Sequence, residues 1–312
     1  MQRTIFCFLL FIILVSCTAL KRSDRAAERM QNFVIDISRY VKKQNNNFIL
    51  IPQNGVELVF NNADIHMGFN TQYMQAIDGI AVEELYYNGK YLPDHERISM
   101  LRKIKSYKKI LVSEYVEDDR LKLDAYMRNQ NEGFICFVRT KKNYDYICIP
   151  DTIPNENALD INSLSDARNF LYLINSNNFS SKKEIIQSLS ATNFDVIILD
   201  LFFQDTAFTK SEIEKLKRKA NGAKRVVLSY INIGAAEKFR YYWKKSWGLH
   251  HPLWIKKKYE GYDDEFWVKF WKKNWQQIIY GTDDSYMRKI LSAGFDGAYL
   301  DNVEAYYFLY YD

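Results

Sequence analysis

Short apolar runs alternate with amphipathic stretches along almost the whole chain. The strand-like runs are FILIP (48–52), IDGIAV (77–82), KKILVSEY (108–115), FICFV (134–138), FLYLI (170–174), DVIILDLFF (195–203), RVVLSYINIG (225–234) and FDGAYLD (295–301). Between them lie helix-like segments such as ERMQNFVIDISRYVKKQ, DHERISMLRKIKSY, SKKEIIQSLS, TKSEIEKLKRKA and DDSYMRKILSA. Runs rich in Val, Ile and Leu on both faces, separated by helices, are the pattern of a parallel sheet. About eight such units over about 280 residues suit a closed (β/α)8 barrel, with a doubly wound open sheet as the alternative. SKKEIIQ and TKSEIEKL each begin with a hydroxyl followed by Glu, the pattern of a capped helix start. IPDTIPNENALD (149–160) interrupts the alternation and marks a boundary that would cut the body into two halves.

Composition narrows the class. The 312 residues are 47% hydrophobic and 26% charged, so a sizeable core is expected and wholesale disorder is excluded. Forty-three Lys and Arg against 38 Asp and Glu leave +5, too weak an excess to argue for nucleic acid. Aromatics reach 16%, with 23 Tyr, 20 Phe and 6 Trp. Such side chains stack on the flat faces of sugar rings, and they also fill cores.

Residues 1–17, MQRTIFCFLLFIILVSC, combine a thin positive start at Arg3 with an apolar run too short to span a bilayer. The ending Leu14-Val15-Ser16-Cys17 resembles the lipobox of bacterial lipoproteins. That resemblance implies cleavage after residue 16, lipid on Cys17, and a body exported to the bacterial cell envelope and held to a membrane. An ordinary secretory signal is the alternative. Residues 17–30 then form the lipidated end and a polar tether. Of the other cysteines, Cys7 leaves with the leader. Cys136 and Cys148 lie in FICFV and YICI, and a hairpin near Lys142-Asn143 would set them opposite each other. A disulfide is compatible with that arrangement, although buried free thiols are the expected state.

In parallel barrels, polar residues that end a strand point into the site at the C-terminal face. Here the strand ends carry Gln53-Asn54-Gly55, Glu83-Glu84, Glu114-Tyr115, Asp200, Asn232 with Glu237, and Asp301-Asn302. One carboxylate after a strand is usually a cap; six polar strand ends on one rim are harder to explain so. The sequence holds no H-E-x-x-H, G-x-S-x-G or P-loop pattern and no metal-ligand spacing, so neither metal nor cofactor is expected. Carboxylates, amides and tyrosines among aromatics are the groups glycoside hydrolysis uses.

Three motifs make this specific. SYINIGAAEKFRYYW (229–243), Pro252 and Trp254 with VKFWKKNWQ (268–276), and GFDGAYLDNVEAY (294–306) resemble, in order, the motifs of glycoside hydrolase family 114, the endo-α-1,4-polygalactosaminidase group. Residues 30–58, 77–90 and 108–118 are similar to the part of that family's sequence downstream of its G-F-D-G motif. The resemblance therefore implies one barrel over residues 31–312, circularly permuted: family strands 6–8 come first (31–150) and strands 1–5 second (160–312). The alternative is a truncated barrel behind an unrelated domain.

Carried over residue by residue, the resemblance makes Asp301 the nucleophile or charge-stabilising carboxylate and Glu83 the general acid. Asp200, Glu237, Asn302, Gln53 and Asn54 would bind sugar hydroxyls or an amino group. Tyr230, Trp243, Trp254 and Trp271 are candidates for stacking on sugar rings or for the core. Strand alternation sends Glu84 away from the site. Ala235 stands where the family motif has a carboxylate, and Glu304 where it has Asp. The expectation is a membrane-anchored, monomeric hydrolase acting on an amino-sugar-containing polysaccharide. The other class is a carbohydrate-binding or adhesion lipoprotein without turnover; retention of both Asp301 and Glu83 favours the enzyme.

Overall fold

The computed structural model of the protein describes residues 25–142, 144 and 146–309. The leader, Cys17 and most of the tether lie outside the described residues. Eight strands make up the parallel framework: β1 (Ile49–Pro52), β2 (Gly79–Tyr91), β3 (Lys109–Val116), β4 (Ile135–Arg139), β5 (Phe170–Leu173), β6 (Val196–Asp200), β7 (Val226–Asn232) and β8 (Gly297–Asp301). These are the eight runs picked out by their apolar pattern, and they are buried on both faces along most of their length. They form a five-stranded sheet in the order β1-β8-β7-β6-β5 and a three-stranded sheet, β2-β3-β4. Every pairing within them is parallel.

The two sheets meet at both ends. Gln53, just past β1, bridges Ala81 of β2, and the Asn54 N–H donates to the Ala81 carbonyl at 2.7 Å. At the other end the rings of Phe137 in β4 and Phe170 in β5 lie 5.9 Å apart. Strands distant in sequence sit side by side: Ile49, Leu50 and Ile51 of β1 pair with Gly297, Ala298 and Tyr299 of β8. This contact accounts for the last glycine of the G-F-D-G motif. A Cβ on Gly297 would fall 2.3 Å from the Ile49 carbonyl oxygen, so only glycine lets β1 approach.

Local chemistry supports each element. Thr209 caps helix Lys210–Leu216 in a reciprocal box with Glu212. Ser181 caps Lys182–Ser190 by accepting the Glu184 N–H, while the Glu184 carboxylate reaches back to the Ser180 N–H at 2.7 Å. Three aspartates that precede strands form a belt at the N-terminal end of the framework. Asp78 accepts the Leu50 N–H, Asp195 the Arg168 N–H and Asp296 the Val227 N–H, each at 2.7–2.9 Å. Each also pairs with a lysine: Lys42, Lys219 and Lys217 respectively. The Lys219–Asp195 pair is fully buried, and Lys219 also donates to the carbonyls of Asn157 and Leu159. That clasp holds the 149–160 segment against the base of β6.

The cysteine hairpin does not form. β4 pairs with β3, and residues 146–149 are not a strand; both Cys136, buried, and Cys148, exposed, are free thiols. Instead the chain turns at Tyr146, in left-handed conformation (φ 44°), and lays that ring on Tyr172 at 3.9 Å.

Candidate active site

The C-terminal ends of β1, β2, β7 and β8 bring a set of carboxyl groups together. Asp301 closes β8. Its Oδ2 accepts the Tyr230 hydroxyl at 2.5 Å and the Asn302 Nδ2 at 3.3 Å, and its Oδ1 accepts the Asn302 N–H at 2.7 Å. Burial pushes the Asp301 carboxyl above its ordinary range, while the bonds from Tyr230 and Asn302 favour the anion. Asn302 takes left-handed φ (59°), which turns its backbone N–H back toward the carboxylate. The Tyr259 hydroxyl holds the Asn302 side chain by donating to Oδ1 at 3.0 Å.

Glu83 of β2 answers Asp301 from another part of the chain. Burial raises its carboxyl to about 7, and the Asp301 and Glu84 carboxylates push the same way; the Tyr146 hydroxyl and the Arg139 guanidinium oppose them. Tyr146 donates to Oε1 of Glu83 and shares a 3.0 Å bond with Ser113. With Oε1 taken by a donor, the proton of the neutral acid belongs on Oε2.

Glu84 does not turn away as strand alternation predicted. β2 shifts register after Glu83, and Glu84 adopts φ 54°, so the alternation is broken there. Its carboxylate pairs with Arg139 at 2.5 Å, with both side chains largely buried beside Glu83.

Asn54, also left-handed (φ 61°), links the Glu83 backbone to the Glu304 carboxyl group. Its Oδ1 accepts the Glu83 N–H at 3.2 Å, and its Nδ2 donates to Oε1 of Glu304 at 3.1 Å. The other Glu304 oxygen is buried without a partner, and burial with the nearby Asp301 raises this carboxyl to about 8. Gln53 accepts the Tyr172 hydroxyl at 2.9 Å.

Asp200 and Glu237 are brought together through a residue not anticipated from the sequence. Arg240 donates to Asp200 at 2.8 Å and to Glu237 at 2.7 Å, with all three side chains nearly out of solvent. The arginine of the A-A-E-K-F-R motif therefore neutralises the acidic strand ends beside it. Opposite Glu237 stands Glu265, on the strand Glu265–Val268, where burial and the Glu237 and Asp301 charges raise it to about 9. Ala235, where the family motif carries a carboxylate, is buried and pairs with Trp267.

The aromatic candidates divide. Tyr230 faces the site through its hydroxyl. Trp243 stacks on Phe266 at 5.5 Å. Trp254 is buried between Trp247 and Trp275, at 5.0 and 5.2 Å, so it is core. Trp271 lies under the guanidinium of Arg29 on helix 25–42. Tyr259, stacked on Trp267 at 4.3 Å and bonded to Asn302, is an aromatic at the site that the motif reading missed. Glu114 is satisfied inside the fold by the Tyr86 and Tyr87 N–H groups and Asn129. Tyr146 and Tyr259 lie in irregular connections, and Glu265 opens a short strand outside the eight apolar runs, so no period announced these side-chain directions; Arg240 was visible in its motif.

Among the described residues no group of His, Cys, Asp or Glu is arranged to hold a metal ion. The arrangement suits acid–base work: a carboxyl raised to about 7 faces one whose hydrogen bonds favour the anion.

Comparison with known proteins agrees with the motifs. Residues 157–310, which include β5 to β8, match the model of glycoside-hydrolase family GH114. An uncharacterized protein of Methanocaldococcus jannaschii is 31% identical over 154 residues, covering 48% of this chain and 41% of its own. One from Thermotoga maritima is 29% identical over 118 residues, 38% of this chain and 35% of its own. One from Deinococcus radiodurans is 29% identical over 122 residues, 39% and 37%. The chain thus spans about two fifths of the length of these relatives. Residues 157–310, just under half of the chain, are thus GH114-like, similar to a family of TIM-barrel glycoside hydrolases.

Proposed function

We propose that the protein is an exported, membrane-anchored glycoside hydrolase that cleaves an amino-sugar-containing polysaccharide with two carboxyl groups, on a closed and circularly permuted (β/α)8 barrel. The barrel reading is supported by the Gln53–Ala81 bridge at one junction and the Phe137–Phe170 contact at the other. Permutation is supported by the pairing of β8, inside the family match, with β1, outside it, through a glycine that admits no side chain. A surface cut with rejoined termini leaves such core contacts intact.

The observation that carries the catalytic reading is the division between Glu83 and Asp301. Glu83, raised to about 7, keeps its proton near neutral pH and delivers it to the departing glycosidic oxygen. Asp301, whose hydrogen bonds from Tyr230 and Asn302 favour the anion against its burial, stabilises or attacks the sugar carbon as positive charge develops there. Asn54, Asn302 and Glu304 surround these two groups with polar atoms for sugar hydroxyls or an amino group. Asp200 and Glu237, already engaged by Arg240, shape the wall and add little free negative charge.

The deciding experiment incubates the wild type, Asp301→Asn and Glu83→Gln with amino-sugar polymers, free and N-acetylated, and measures new reducing ends. Cleavage by the wild type with loss of about a hundredfold or more in each variant is expected. Binding without cleavage by all three would leave a carbohydrate-binding protein.

A further inference from the structure

The positive excess of the chain is concentrated in one segment. Residues 238–273 hold ten Lys and Arg against four Asp and Glu, a net of +6, whereas the full chain is +5, so everything else amounts to −1. This segment follows the C-terminal end of β7 and sends Tyr259 to Asn302, so it belongs to the rim that carries Asp301. Within it, residues 244–258 contain five lysines and no carboxylate; Lys244, Lys245, Lys256 and Lys258 are exposed. The acidic residues of the segment, Glu260 and 263–265, lie beyond that stretch, at and around the turn between the antiparallel strands Ile255–Lys258 and Glu265–Val268.

Among these lysines a tight turn projects two leucines. Gly248 and His251 exchange backbone hydrogen bonds at 2.7 and 2.9 Å, and the His250 N–H donates to the Ile255 carbonyl at 3.1 Å. Leu249 is 44% exposed and Leu253 78%. Trp254, next to Leu253 in the chain, is buried between Trp247 and Trp275, while the two leucines stay outside that aromatic packing. Helix 25–42, whose first turns replace the end of the stretch expected to be tether, reaches the same segment, because Arg29 sits over the ring of Trp271 at 5.0 Å.

We propose that this lysine-ringed leucine turn docks the protein on an anionic phospholipid bilayer, with Leu249 and Leu253 entering the boundary between headgroups and acyl chains. Lysines near such a surface are drawn to its phosphates, and aliphatic side chains gain free energy by leaving water for the acyl region. An anionic polysaccharide would answer the lysines but offers projecting leucines no apolar phase. The inference stands apart from the glycosidase reading, since it uses neither Asp301 nor Glu83.

The test uses the full-length chain with Cys17→Ala, so that no acyl chain contributes, and co-sedimentation with vesicles. Vesicles of phosphatidylcholine alone are compared with vesicles containing about 30% phosphatidylglycerol. Binding to the anionic vesicles at about 50 mM NaCl, released by about 500 mM, is the expected result. Reversing Lys244, Lys245, Lys256 and Lys258 to Glu in that background should weaken binding by about tenfold or more. Leu253→Asp should weaken it several-fold and abolish quenching of tryptophan fluorescence by brominated lipid. The apolar leader is common to all these chains, so differences between them report the turn. If the fourfold variant loses its thermal transition, Leu253→Asp decides alone, because that side chain packs little in the fold. Equal binding to both vesicle types, or no difference between parent and Leu253→Asp, overturns the proposal. So does binding to a gel of anionic polysaccharide with no preference for phosphatidylglycerol.

Discussion

The hydroxyl of Tyr230, on β7, donates to Oδ2 of Asp301, on β8, at 2.5 Å. The two residues lie on adjacent strands, close in register, so the bond is set by the sheet itself. A hydrogen bond to a charged group contributes about 1.5–3 kcal/mol, and its loss raises an acid by about one to two pH units. Tyr230→Phe is expected to move the acidic limb of the pH–rate profile upward by that amount, because Asp301 acts as the anion. A profile identical to wild type would remove Tyr230 from the site.

Glu83 makes the opposite demand. Its activity requires the proton, so the rate should fall as pH rises through about 7. The same shift acts on stability. Its carboxyl binds its proton more tightly in the folded chain than in the unfolded one. That stabilisation is complete below the ordinary carboxylate range and is lost as pH rises toward about 7. Glu83→Gln should therefore melt higher than wild type at pH 8, by roughly 2–6 °C, with a smaller difference near pH 4. Calorimetry at the two pH values checks it.

Glu84 holds Arg139 in an ion pair beside Glu83. Glu84→Gln removes a negative charge that raises Glu83 and releases a guanidinium that lowers it. The basic limb of the profile should move to lower pH, with a loss of about tenfold or less at pH 7, far milder than Glu83→Gln. If Glu84→Gln abolished activity while Glu83→Gln preserved it, the proton donor would be Glu84.

Arg240→Ala leaves Asp200 and Glu237 buried side by side without their cation. Breaking a buried ion pair from one side costs about 3–5 kcal/mol, so urea unfolding should shift by an amount of that order. A shift below about 1 kcal/mol would mean that water reaches the pair.

The anchor is tested separately. Cells fed a fatty-acid probe should label the wild type and not Cys17→Ala. Absence of label on the wild type would refute the lipoprotein reading without touching the catalytic one.

Much of the framework was legible in the residues. Eight apolar runs became eight parallel strands because segments buried on both faces carry their signal locally, in continuous Val, Ile and Leu. The capped starts at Ser181 and Thr209 were readable for the same reason: a cap and its partner are three residues apart. Strand ends such as Asp301 and Glu83 could be marked as rim residues once the strands were placed. The pairing of β1 with β8 needed the order of the motifs as well as their content.

What tertiary structure decided is how the polar residues use each other. The sequence shows Glu83 and Glu84 as adjacent, and alternation alone separates them; a register shift and a left-handed residue keep both at the rim. It shows Asp200, Glu237 and Arg240 as separate charges, and only the fold closes them into one neutralised group. Tyr146 and Tyr259 reach the site from irregular segments, and Glu265 from a four-residue strand too short to show a period. Burial then assigns the protons: similar carboxyl groups are shifted to different degrees because each loses water and gains neighbours that its own sequence position does not specify.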